Sequence, residues 1–148
     1  MSRRIAWMAH PLSGDIAGNL ARAERWLKWL LATFPDVDFV ADWILYCRVL
    51  DDTNPVDRER GLQMDEEMIS RCDDYVMVGG RVSSGMERER VMAEESGVRI
   101  INLIDLGDEP PTWLNEDALF VLQTWMDGIG LFNARELMSK TFTWARRI

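Results

Sequence analysis

The chain has 148 residues, enough for one domain with a substantial core and too few for two. Hydrophobic residues make up 47% and charged residues 28%, which excludes a disordered chain. A net charge of −8 excludes a polymer-binding protein that grips nucleic-acid phosphates through a basic surface, but leaves a single nucleotide open as a partner. Arg4 to Ala9 reads as a first strand, followed by the loop His10-Pro11-Leu12-Ser13-Gly14-Asp15. A helix is predicted from Ala17 to Phe34, with Leu20, Ala23, Leu27, Leu30, Leu31 and Phe34 as its apolar stripe. Val37 to Ala41 is a second strand, and Trp43 to Leu50 is apolar without a clear period. The turn cluster Asp51 to Pro55 precedes a helix from Asp57 to Arg71. Asp74 to Val78 is a third strand, and a helix from Met86 to Ser96 stops at Gly97. Val98 to Ile104 is a fourth strand. Gly107 to Pro111 breaks the pattern, and helices are expected over Asn115–Met126 and Asn133–Trp144.

Strands alternating with helices predict an α/β fold: a Rossmann-like, doubly wound, mainly parallel sheet of four to five strands. Residues 1–148 then form a single domain, with 107–148 as a helical C-terminal extension. In such sheets ligands bind beyond the C-terminal strand ends, which here carry His10 to Asp15 and Gly79 to Gly85. Seven tryptophans, three of them late (Trp113, Trp125 and Trp144), fit either a large core or a partner surface.

Cys47, Cys72 and the single histidine, His10, lie in no metal-binding spacing, so neither a metal nor a disulfide scaffold is expected. Met1 to Arg4 is basic, but the apolar run after it breaks at His10-Pro11, so no secretory leader is expected. Arg22, Glu24, Arg25 and Lys28 keep the first helix out of a bilayer. The expected location is cytoplasmic, with no membrane partner.

Two acids fall on faces that should be apolar. Glu89 aligns with Met86, Met92 and Ala93, while Glu87 and Glu94 flank Arg90 on another face and Glu95 sits near Arg88. Asp65 aligns with Met68, Ile69 and Cys72, leaving Glu66, Glu67 and Arg71 for water. A carboxylate turned inward loses hydration and persists when paired or when used. Two in one pocket repel, so one retains a proton, as in enzymes that break a glycosidic bond with a nucleophile and a proton donor. The alternative is a pair of helix-end or salt-bridge acids, partnered by Arg60 or Arg81.

The stretch Gly79-Gly80-Arg81-Val82-Ser83-Ser84-Gly85 leads into a helix and offers backbone amides and hydroxyls to an anion, though it is neither a P-loop nor G-x-G-x-x-G. Ser83 or Ser84 can equally cap the helix. His10 either orients a substrate or packs its loop. Ser13, Gly14 and Asp15 either donate amides to a ribose or phosphate or cap the next helix. Asp73, at the edge of the third strand, reads as structural.

From Arg4 to about Leu106 the chain resembles the nucleoside 2-deoxyribosyltransferase superfamily, including its nucleotide N-hydrolase branch and small phage-type relatives. The resemblance rests on D-E-E-M-I-S-R-C-D (Asp65 to Asp73), an apolar strand, and S-x-G-x-x-x-E-x-x-x-A from Ser83 to Ala93. It implies Glu89 as a nucleophile toward the anomeric carbon and Asp65 as the residue that positions and protonates the leaving base. Glu89, early in its helix, would be kept ionised by the helix N-terminus. The opening M-A-H-P-L-S-G-D resembles the family's sugar or phosphate loop, and Asn19 stands where many small relatives carry Asn. Ser83 replaces the aspartate of the transferase branch. The branch acting on 5'-monophosphates has serine there, which implies nucleotides and hydrolysis, with Ser83, Ser84, the Gly85 amide and Arg81 as phosphate contacts. Val91 replaces a glycine and is expected to narrow the cleft. The family often completes its site with a C-terminal residue of a neighbouring subunit, which implies a homodimer or larger homo-oligomer. No cofactor is implied. The alternatives are a non-catalytic nucleotide sensor or sponge, and an NAD-cleaving glycosidase.

Overall fold

The computed structural model describes residues 3–51 and 53–126. Four strands, β1 (Arg4–Ala9), β2 (Val37–Val40), β3 (Asp74–Met77) and β4 (Arg99–Asn102), form one all-parallel sheet in the order β2-β1-β3-β4. Trp7 lies at its centre, in register with Val40 on one side and Tyr75 on the other. Ala6 to Ala9 and all of β3 are buried, as strands covered on both faces must be.

Between the strands run α1 (Ile16–Thr33), α2 (Trp43–Val49), α3 (Pro55–Ile69) and α4 (Ser84–Glu95). The β1–β2 and β2–β3 crossovers travel in opposite directions across the sheet. The right-handed rule therefore places α1 on one face and α3 and α4, which pack together, on the other. A short 3-10 turn (Ile104–Leu106) leads to α5 (Glu116–Met126), whose Gln123 side-chain amide donates to the Thr33 carbonyl of α1 at 2.8 Å. The fold is thus α/β and Rossmann-like, with four strands among the described residues.

Three local expectations change. Trp43 to Val49 is a helix: Trp43 is buried and its indole donates to the Met8 carbonyl, 2.8 Å away, which packs the segment over β1. The stripe of α1 runs through Asn19, Ala23, Trp26, Leu30 and Thr33, and Leu31 is turned 50% to solvent, one residue out of phase. The fourth strand ends at Asn102, where the Asn102 side chain accepts from the Ile104 amide and begins the 3-10 turn. The helix expected near Asn115–Met126 is α5. The one expected over Asn133–Trp144, together with Trp144, lies outside the described residues. Trp113 is exposed, whereas Trp7, Trp26 and Trp43 belong to the core.

Candidate active site

β1 feeds β2 on one side while β3 lies on its other side, so the loops after β1 and β3 part at a crevice. A cleft opens there, holding about 750 Å³ of space counted to its mouth. It is lined by Trp7, Ala9 and His10 of β1 and the loop after it, Trp43 and Tyr46 of α2, Asp65 of α3 and Glu89 of α4.

Glu89 and Asp65 therefore share one hollow. Glu89 is 8% exposed, between Met86 and Ala93 on the buried face of α4. The cations around it are committed elsewhere: Arg88 to Glu59 at 3.0 Å and to Glu66, and Arg90 to Glu87 and Glu94. Arg88 thus bridges α4 to α3 and does not pair with Glu95. Among the described residues neither Glu89 nor Asp65 has an ion-pair partner, and the salt bridge to Arg60 or Arg81 is absent. Arg81 donates instead to the Ser13 carbonyl, at 2.9 Å.

Burial pushes the Asp65 carboxyl up to about 7, with repulsion from Asp42 and Glu66 adding to it. Burial also raises Glu89 well above the usual carboxylate range, helped by Asp65 and Glu66 and opposed by Arg88. The expectation that the helix N-terminus keeps Glu89 ionised fails on position. Glu89 is the sixth residue of α4, beyond the first turn where the dipole acts, so desolvation wins.

The loop after β1 is held from below. Asn19 is buried and its amide donates to the Leu12 and Ser13 carbonyls at 2.8 and 3.3 Å, while its oxygen accepts from Arg22. Asp15 caps α1 by accepting from the Gly18 amide at 3.1 Å. His10, 6% exposed, donates from Nδ1 to the Pro11 carbonyl at 2.6 Å, and burial lowers its pKa, so the ring is neutral at pH 7. It packs against Gly79, whose φ is +105° and where a Cβ would fall 2.6 Å from the ring. Only glycine at 79 lets the histidine sit there.

Of the residues singled out from sequence, His10, Ser13, Ser83, Gly85, Asp65 and Glu89 line the cleft. Gly14, Asn19, Arg81 and Ser84 do not; Asn19 and Arg81 act on it through the loop they hold. Ser83 is the N-cap of α4, its hydroxyl accepting from the Met86 amide at 3.2 Å. Val91 is exposed and away from the cleft, so it does not narrow it.

Sequence reading missed Trp7, Trp43 and Tyr46. Nothing in an apolar strand or a seven-residue apolar run separates a cleft wall from ordinary core. Three buried side-chain atoms lack a hydrogen-bond partner among the described residues: Trp7 Nε1, His10 Nε2 and Asp65 Oδ1. All three residues line this cleft. Each such atom costs about 1–3 kcal/mol.

Fold and cleft define a Rossmann-like α/β protein with an unpartnered carboxylate pair beside its crossover crevice. Residues 4–103 match the family described as Domain of unknown function (DUF7768), and the chain belongs to that family. No curated protein matches the chain. Among the described residues no helix is long and apolar enough to cross a membrane, and no group of three or more His, Cys, Asp or Glu side chains is placed to hold a metal ion.

Proposed function

We propose that the protein cleaves the base–sugar bond of a nucleoside or nucleoside 5'-monophosphate through Glu89 and Asp65, as its resemblance to the nucleoside 2-deoxyribosyltransferase superfamily implies. The observation that carries the reading is a buried acid, Glu89, and a half-buried one, Asp65, lining one cleft, neither with a cation partner among the described residues. A fold retains such acids at a stability cost only when something other than stability holds them.

The chemistry needs one proton on the pair. With Glu89 ionised and Asp65 protonated, a Glu89 oxygen attacks C1', the C1'–N bond breaks, its electron pair passes to the base, and Asp65 supplies the proton. Water then attacks C1' as the C1'–O bond to Glu89 breaks, and the Asp65 carboxylate takes the water's proton. In a transferase a second base replaces water. Both acids are raised, so they titrate as a unit and the productive microstate is one of two that carry a single proton. Base release should fall at low pH, where both hold protons, and at high pH, where neither does. Ser83 and the Gly85 amide at the start of α4 are the phosphate contacts in this reading. The protein would act on cytoplasmic nucleotide pools as a homo-oligomer, the latter checked by light scattering.

The test is free base, followed by chromatography, from a panel of (deoxy)nucleosides, their 5'-monophosphates and NAD. Glu89→Gln should lower release about a thousandfold or more while the fold persists. Unchanged turnover in that variant sinks the assignment, and binding without release by the wild type supports a sensor instead. Release from NAD alone would reassign the substrate.

A further inference from the structure

We infer that the cleft takes an organic cation: a base whose glycosidic nitrogen carries a fixed positive charge, held against the Glu89 and Asp65 carboxylates. This deepens the glycosidase reading by naming its substrate class, and rests on that reading for the glycosidic bond alone.

The cleft is acidic, and its acids are within reach. Asp57, Asp65 and Glu89 line it against one guanidinium, that of Arg58, and one neutral histidine. Asp42 and Glu66, outside the lining, add their repulsion to Asp65. Arg88, which opposes the upward shift of Glu89, is itself held by Glu59 and Glu66. Asp65 Oδ1 is closed off from any ligand. Asp65 Oδ2 and both Glu89 oxygens keep accessible surface, and they have no partner among the described residues.

The rest of the lining chooses among cations. A metal ion needs several ligands at once, and among the described residues no group of three or more His, Cys, Asp or Glu side chains is placed to hold one. Leu12, Leu50, Leu62 and Met86 line the cleft with Trp43 and Tyr46, a surface that strips a compact ion of water and returns little. A ring cation spreads its charge, sheds water readily and packs on apolar and aromatic side chains. It supplies the positive charge that the chain withholds. Burial and neighbouring carboxylates raise both acids above the usual range; a fixed cation beside them reverses that, so its binding expels a proton.

Such a base changes the bond-breaking step. A Glu89 oxygen attacks C1', the C1'–N bond breaks, and its electron pair neutralises the ring nitrogen, so the base leaves without a proton. Water then attacks C1' as the C1'–O bond to Glu89 breaks. Asp65, already a carboxylate, takes the water's proton and yields it to solvent. The alkaline fall in base release expected with a neutral base is therefore absent with a cationic one.

The experiment titrates the full wild-type chain by calorimetry at pH 7. The probes are 1-methylnicotinamide, a fixed ring cation, and 1-methyl-2-pyridone-5-carboxamide, its neutral counterpart; neither has a sugar to lose. The cation should bind about tenfold tighter or more, and changing the buffer should reveal proton release with the cation alone. Glu89→Gln and Asp65→Asn should each shrink the preference. Glu87→Gln, on the same helix but outside the cleft and paired with Arg90, should leave it unchanged.

Equal affinity for the two rings overturns the inference, as does failure of the cation to bind. So does a preference that Glu87→Gln lowers as much as Glu89→Gln, since the overall charge of −8 then attracts the cation. The two readings fail separately. Base release from inosine or uridine with no preference for the ring cation removes this inference alone. A ring-cation preference in a protein that releases no base, from nicotinamide riboside or from any neutral nucleoside, removes the glycosidase and leaves this inference standing.

Discussion

Inward-facing acids at opposite ends of the same sheet are treated in opposite ways. At the N-terminal end, Asp74 of β3 is fully buried and receives the Arg4 guanidinium through two bonds of 2.9 and 2.8 Å and Arg99 Nε at 2.7 Å. At the other end, Glu89 is buried and Asp65 half-buried, and among the described residues neither has a cation of its own. The first is how a chain keeps a charge in its interior for architecture: it brings the partners. The second withholds them. Net charge does not explain the contrast, because the chain has arginines near both acids and points them at other carboxylates.

The contrast can be broken most directly at Asp74. Asp74→Asn should cost about 3 kcal/mol, the low end for a buried ion pair because both guanidiniums reach solvent. Glu89→Gln should cost nothing or stabilise, since it removes a desolvated charge that nothing balances. Urea denaturation of the two variants settles it, and equal losses would erase the distinction.

The next effect is in pH. The folded state binds the Asp65 proton more tightly than the unfolded chain, its pKa rising from 3.8 to about 7. The contribution is therefore full below pH 3.8 and is lost as pH rises from there to about 7. At about 1.4 kcal/mol per unit the ceiling is about 4 kcal/mol, and relaxation of the site should leave on the order of half of it. Asp65→Asn should accordingly raise Tm at pH 8 and change it little at pH 4. A variant less stable at pH 8 would show that the acid is held by a partner after all.

The smallest effect sharpens the picture around Glu89. Arg88 joins α3 to α4 through exposed pairs that solvent screens. It also opposes the upward shift of Glu89. Arg88→Ala should barely alter Tm, yet move the acid limb of the base-release profile to higher pH.

The strands and the two inward acids were legible because they rest on short-range pattern. Parallel strands buried on both faces read as apolar runs, and a carboxylate on an apolar helical face is visible from a 3.6-residue period. What escaped depends on contacts across the chain. Trp43 to Val49 has too few residues to show a period, and its conformation is set by a buried indole reaching β1. Leu31 seemed to extend the stripe of α1, but the sheet selects the arc through Trp26, one residue away. Asn19 could be marked from sequence, but its task of clasping two carbonyls of the preceding loop could not. Trp7 was invisible for the same reason. Whether an indole N–H finds an acceptor is decided by residues far along the chain, 35 positions away for Trp43 and 82 for Trp26.

The matched domain ends at residue 103, yet α5 beyond it is fastened back: the Met126 carbonyl accepts from Arg99 at 2.7 Å, the same guanidinium that serves Asp74. That helix is moored at the N-terminal end of β4, the end of the sheet opposite the cleft. Exchanging it among relatives should tune endurance while sparing chemistry, which makes it a natural place to graft new sequence.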